Sequence, residues 1–220
     1  MNKKCLFFLI IVINLSNVFS ETSPLISKIE SLKTAQDSIT YLKEELGKES
    51  DFNKGDISSL LAQIQEQQGL FNEAGTNYSI AASYLGIQSK EGQLMQLGAV
   101  RCALSTGDTA TADLLLSTSM GNPTDAAVTS RIRLYAVWSA ICKAETTKDL
   151  EIPIHALEQY TKMQSMKLEM PSVLLTLWHI TKKTEWATQL QNEYPNSPEA
   201  SVTRKTVSPL PSPFWYFIPE

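Results

Sequence analysis

Gln68-Gly69-Leu70-Phe71-Asn72-Glu73-Ala74, followed by Tyr78 and Ala81, decides the fold of this chain. Counted from Gly69, a turn residue, an aromatic, a small residue, a second aromatic and a second small residue stand at offsets 0, 2, 5, 9 and 12. Two helices that reverse on each other need that order. Glycine supplies the positive φ of the reversal, and small side chains let the helix axes approach. Working outward, Ile57 to Gln68 places Leu60, Leu61 and Ile64 on one helical face, and Phe71 to Leu85 reads as the return helix closed by Gly86. The pattern recurs at Gly107-Asp108, Ala112 and Leu116, between helices expected over Gln93 to Thr106 and Thr109 to Thr118. Gly121-Asn122-Pro123 ends it with breakers. The two turn glycines are 38 residues apart, a period that predicts stacked helical hairpins.

Ahead of this region, Leu25, Leu32, Ile39 and Leu46 recur every seven residues, with Ala35 and Leu42 between them. The spacing predicts one amphipathic helix from Leu25 to Leu46, within an N-terminal segment 21–50, started at Thr22-Ser23-Pro24 and stopped at Gly47. It reads as the first helix of a bundle or solenoid, with a short coiled coil as the alternative. After Pro123, helices are expected over Arg131 to Ala144, Pro153 to Met166 and Val173 to Tyr194. No glycine follows Gly121, and strand-period alternation is absent, so the fold class is all-α.

These residues resemble the tetratricopeptide repeat family. Leu61, Ala62, Gly69, Phe71, Ala74, Tyr78 and Ala81 match most of its motif. Ala99, Val100, Gly107, Ala112 and Leu116 make a thinner second copy, with Thr109 at the place of the turn aromatic. Asn192 to Ala200 resembles the junction between repeats in exported bacterial members. The resemblance implies a right-handed α-solenoid of antiparallel helix hairpins over 55–195, a non-enzymatic scaffold that binds a partner peptide or protein in its concave groove. Carried over by position, the groove residues are Asp56, Ser59, Gln63 and Glu66, then Leu94, Leu97, Arg101 and Leu104, with Arg131 and Arg133 as basic members of the next helix. Gln63, Glu66, Leu97, Arg101 and Arg133 are therefore the expected partner contacts: amides and guanidinium groups hold backbone or carboxylate, and leucines take side chains.

The segment 196–220 is a tail of another kind. Ser208-Pro209-Leu210-Pro211-Ser212-Pro213 favours an extended polyproline-like stretch, and Phe214-Trp215-Tyr216-Phe217-Ile218 packs four aromatics into five residues. Trp215 and Phe217 are candidate docking residues for a partner. Two alternatives stay open: the tail seals the last helix as a cap, or it inserts into a neighbouring copy, making a self-associating structural protein of the envelope.

Residues 1–20 read as a signal peptide: Lys3 and Lys4, an apolar run of eleven residues from Cys5 to Leu15, and Val18-Phe19-Ser20 before Glu21. The run is short against the roughly 20 residues of a membrane-spanning helix, and no later stretch is apolar enough to span. Export is expected, to the bacterial periplasm given the resemblance to exported members. Loss of the leader takes two lysines from a chain of net charge −4, leaving −6. That balance argues against nucleic acid, which calls for a basic patch or stripe. Cys102 and Cys142 then remain, either as buried small hydrophobes or as a disulfide.

Reaction chemistry is not legible. His155 and His179 stand outside any metal-ligand spacing, no histidine accompanies a serine or cysteine nucleophile, and Gly92 and Gly98 are isolated rather than part of a phosphate loop. No enzyme, metal or cofactor is expected.

Overall fold

The computed structural model describes residues 24–48, 53–120 and 123–205, so the leader and the aromatic tail, Trp215 and Phe217 included, lie outside the described residues. Every regular element among the described residues is helical, and the fold is all-α. The chain divides into two compact units, one ending at Ala99 and the other beginning at Val100.

The first unit holds α1 (Pro24–Glu30), α2 (Ala35–Leu46), α3 (Lys54–Gln67) and α4 (Phe71–Leu85). The division falls inside α5 (Lys90–Ser105). One expectation is corrected here: the segment from Leu25 to Leu46 is two helices, not one. Thr34 caps α2, its hydroxyl accepting the Asp37 N–H at 3.1 Å, and Leu32 sits in the intervening turn. The reason is burial. A continuous helix would separate Leu25 from Ile39 by about 21 Å, yet both lie in one buried cluster with Ile29, Leu42, Ile57, Leu60, Leu61 and Ile64. Breaking the helix lets α1 fold onto that cluster, and each aliphatic side chain so buried contributes about 1.5–3 kcal/mol.

The turn between α3 and α4 is built as its sequence predicts. Gly69 has φ +75°, Leu70 N–H donates to the Gln65 carbonyl at 2.9 Å and Gly69 N–H to that of Glu66 at 3.0 Å. These two bonds satisfy carbonyls that the helix end would otherwise orphan. Ala74, Tyr78 and Ala81 are buried in α4, and α3 and α4 pack closely on each other. Tyr78 lies directly over Gly98 of α5: a Cβ at position 98 would stand 2.8 Å from two of its ring carbons. Gly92 is equally constrained, since a Cβ there would stand 2.0 Å from the Gly86 carbonyl oxygen.

The second unit holds the end of α5, then α6 (Thr109–Met120), α7 (Ala126–Cys142), α8 (Glu151–Tyr160), α9 (Met170–Thr181), α10 (Thr184–Glu193) and α11 (Pro198–Thr203). Gly107, φ +76°, repeats the Gly69 turn, with Asp108 N–H on the Ala103 carbonyl at 2.9 Å. Helix α7 starts from Asp125, whose carboxylate accepts the Val128 N–H at 2.9 Å. It buries Val128, Ile132, Leu134, Tyr135, Val137, Trp138 and Ile141, and α9 buries Val173, Leu174, Leu175 and Leu177.

Three helix limits differ from the sequence expectation, the first being the helix expected from Arg131, which starts earlier, at Ala126. The helix expected over Pro153 to Met166 ends at Tyr160, and residues Gln164–Glu169 form a 3₁₀ turn. The stretch from Val173 to Tyr194 is broken at Lys182, which takes a left-handed φ of 58° and returns its N–H to the Trp178 carbonyl at 2.9 Å. A lysine in that conformation is a helix stop without the usual glycine signal.

Candidate functional site

The expected contact residues fall in both units and differ sharply in exposure. In the first unit, Gln63 is half-buried; its amide donates to the Ser59 hydroxyl at 3.0 Å, which in turn donates to the Met95 sulfur at 3.0 Å. Glu66 accepts the Tyr78 hydroxyl at 2.8 Å, and Asn77 donates to the Gln65 side chain at 2.8 Å. The polar groups of α3 thus tie it to α4 and α5. Leu97 is a correction to the expected contacts: at 0 % exposure it belongs to the core and offers no surface to a ligand, and Leu104 is likewise 0 % exposed. Both were placed on a groove by position alone, whereas burial follows what packs around them.

In the second unit, Arg101 is half-buried and donates to the Tyr135 hydroxyl at 3.2 Å. Tyr135 stacks on Trp138, ring centroids 5.1 Å apart, and Trp138 Nε1 donates to Thr176 Oγ1 at 2.9 Å. Thr176 donates onward to the Ser172 carbonyl at 2.7 Å, and the Ser172 hydroxyl to Glu199 at 2.7 Å. One chain of polar and aromatic contacts therefore runs from α5 through α7 and α9 to α11.

Arg131 and Arg133 both reach the 3₁₀ turn. Arg131 Nε pairs with Glu169 Oε1 at 3.0 Å, and Glu169 is 8 % exposed, so this guanidinium neutralises a buried acid. Arg133, two residues on, makes one neutral hydrogen bond, to the Ser165 hydroxyl at 3.3 Å, and has no carboxylate partner among the described residues. Burial pushes the Tyr160 phenol above its ordinary value, and the Arg133 charge partly offsets the push.

Beside that turn is a cleft of about 180 Å³. Thr161, Lys162, Met163, Gln164, Lys167 and Met170 line one side, and Gln189, Glu193 and Tyr194 the other. Gln189 donates to Glu193 at 3.0 Å, while Lys162 and Lys167 have no ion-pair partner among the described residues. Burial, with the Glu193 charge second, raises the Tyr194 phenol. Sequence reading missed this cleft, because it treats 153–166 as uninterrupted helix. The signal available was the alternation of methionine and lysine through Lys162-Met163 and Met166-Lys167.

Cys102 is buried and Cys142 half-buried, and no disulfide joins them. His155 is exposed and His179 half-buried. Among the described residues no three His, Cys, Asp or Glu side chains gather as metal ligands, and no helix is long and apolar enough to cross a membrane.

One comparison with known protein families covers the part of the chain that holds the cleft. A family model described as a middle domain matches residues 142–220. A curated relative, an uncharacterized protein of Treponema pallidum (strain Nichols), is 32 % identical over 87 residues, which is 40 % of this chain and 23 % of the relative. The chain thus spans about a quarter of the length of the curated relative it matches. No solved structure matches.

Proposed function

We propose that this chain is a non-enzymatic adaptor of the cell envelope, exported to the periplasm, whose helical hairpins extend as a right-handed tetratricopeptide-like solenoid and hold an acidic segment of a protein partner. The observation that carries the reading is Arg133. It is positioned by Ser165, stands two residues from an arginine already spent on Glu169, and keeps its charge without a carboxylate partner among the described residues. A guanidinium in that state suits a carboxylate supplied from outside, because the fork geometry accepts it bidentately. Arg101 has a structural role beside any contact role, since its bond to Tyr135 anchors the polar chain described above.

The test is capture from envelope extract by the mature protein, comparing Arg133→Glu and Arg133→Lys at matched melting temperature. The Glu variant should hold the captured partner roughly tenfold less well, about 1.4 kcal/mol, and the Lys variant should keep part of the binding. Equal capture of the same partner by all three proteins overturns the reading.

A further inference from the structure

We infer that the cleft between the 161–170 segment and the end of α10 is a docking site for an aromatic–acidic peptide segment, and that its occupant is the chain's own tail, with Phe217 in the cleft and Glu220 facing Lys162 and Lys167. This inference stands whether or not the chain is an adaptor.

Three observations lead there. The chain leaves α11 beside the cleft: Arg204 Nη2 donates to the Pro195 carbonyl at 2.8 Å, and Gln191 donates to Thr203 at 2.9 Å. The exit at Lys205 is therefore within one arginine's reach of the residue that follows Tyr194, a cleft wall. The chemistry is complementary as well. Met163 and Met170 offer adaptable, polarizable surface that favours aromatic rings. The two lysines outnumber Glu193, whereas residues 206–220 carry one acid, Glu220, and no basic side chain. Size fits one ring rather than the whole cluster, since about 180 Å³ matches a single aromatic side chain.

The occupant is the chain itself rather than another molecule for two reasons. The family match runs from 142 to 220, so helices and tail fall in one matched domain. Tethering also favours the intramolecular contact. The twelve residues from Thr206 to Phe217 span at most roughly 37 Å in a polyproline conformation, and a tether of that length gives an effective concentration on the order of millimolar. A weak site is filled from within before a second copy reaches it.

The experiment places a photoactivatable benzophenone amino acid at Tyr216 of the full chain, leaving Phe217 to seat. Irradiation is carried out on a mixture of isotopically heavy and light protein, and the cross-links are mapped by mass spectrometry. The expected result is a cross-link within one isotope class to peptides covering 161–170 or 189–194. Its yield should fall at least threefold when exposed Lys162 and Lys167 are both changed to Glu, with circular dichroism unchanged. Heavy–light cross-links would assign the tail to a second copy. Those, cross-links elsewhere, no cross-link at all, or a yield indifferent to the lysine changes each overturn the inference.

Discussion

Replacing Gly98 by alanine tests whether the first unit is held by close approach of α4 and α5. In an exposed helix interior the change would stabilise by about 1 kcal/mol, because alanine loses less backbone entropy. Here the new methyl group meets three ring carbons of Tyr78 at 2.8, 2.8 and 2.9 Å, where ordinary contact begins near 3.4 Å. Tyr78 is 2 % exposed and its hydroxyl is held by Glu66 at 2.8 Å, so the ring cannot swing away freely. Overpacking of this kind costs about 1–3 kcal/mol, and displacing the hydroxyl from Glu66 adds up to about 1 kcal/mol. The net is a loss of about 0–3 kcal/mol, centred near 1.5, read by urea unfolding followed at 222 nm. Tyr78→Phe should cost less on the Gly98→Ala background than alone, because the hydrogen bond it removes is already strained there. A Gly98→Ala protein more stable than the parent would refute the close-packing argument.

Two other consequences concern ionisation and thiols. Burial opposes the charge on Asp113, but hydrogen bonds from Lys143 and Ser139 outweigh it and hold the carboxyl below 3.8. Its folded value is depressed, so its contribution is complete above pH 3.8 and is lost as the pH falls through the folded value. Asp113→Asn should thus flatten the acid limb of the stability curve by roughly 0.5 kcal/mol after solvent screening; parallel curves for the two proteins would contradict this. Burial pushes the Cys142 thiol up to about 12, and Cys102 is buried. Iodoacetamide at pH 8 should leave both unmodified in the folded protein and alkylate both in urea, whereas a disulfide-bonded mass without reductant would show that the thiols are not free.

What the sequence disclosed follows from how each contact is made. Gly69 and Gly107 were readable because a left-handed turn leaves a residue type at one position, and Ala74, Tyr78, Ala81 and Ala112 because their spacing is local. Thr34 was missed although Thr34-Ala35-Gln36-Asp37 carries an N-cap signal, since the seven-residue recurrence of Leu25, Leu32, Ile39 and Leu46 fits an unbroken helix equally well. Gly92 and Gly98 stand alone in the sequence, and their reason is close packing, which no local motif announces. Leu97 and Arg101 show the limit of transferring positions: four residues apart on one helix, one is core and the other half-buried and hydrogen-bonded.

The second unit resisted reading because it is fastened by side chains far apart in sequence. Arg101 with Tyr135, Arg131 with Glu169, Trp138 with Thr176 and Ser139 with Asp113 are 34, 38, 38 and 26 residues apart, and no local pattern announces such pairs. Their placement also bears on the family match. Glu169 and Thr176 lie inside the matched segment 142–220, while their partners Arg131 and Trp138 lie before it on α7. A buried carboxylate without its arginine costs several kcal/mol. The matched segment is therefore not an energetic unit in this chain. It needs α7, held in turn by the Arg101 end of α5, before Glu169 is paired. Side chains bonded beside the candidate cleft accordingly sit outside the matched stretch as well: Arg133, on the same helix, donates to Ser165, next to the lining residue Gln164.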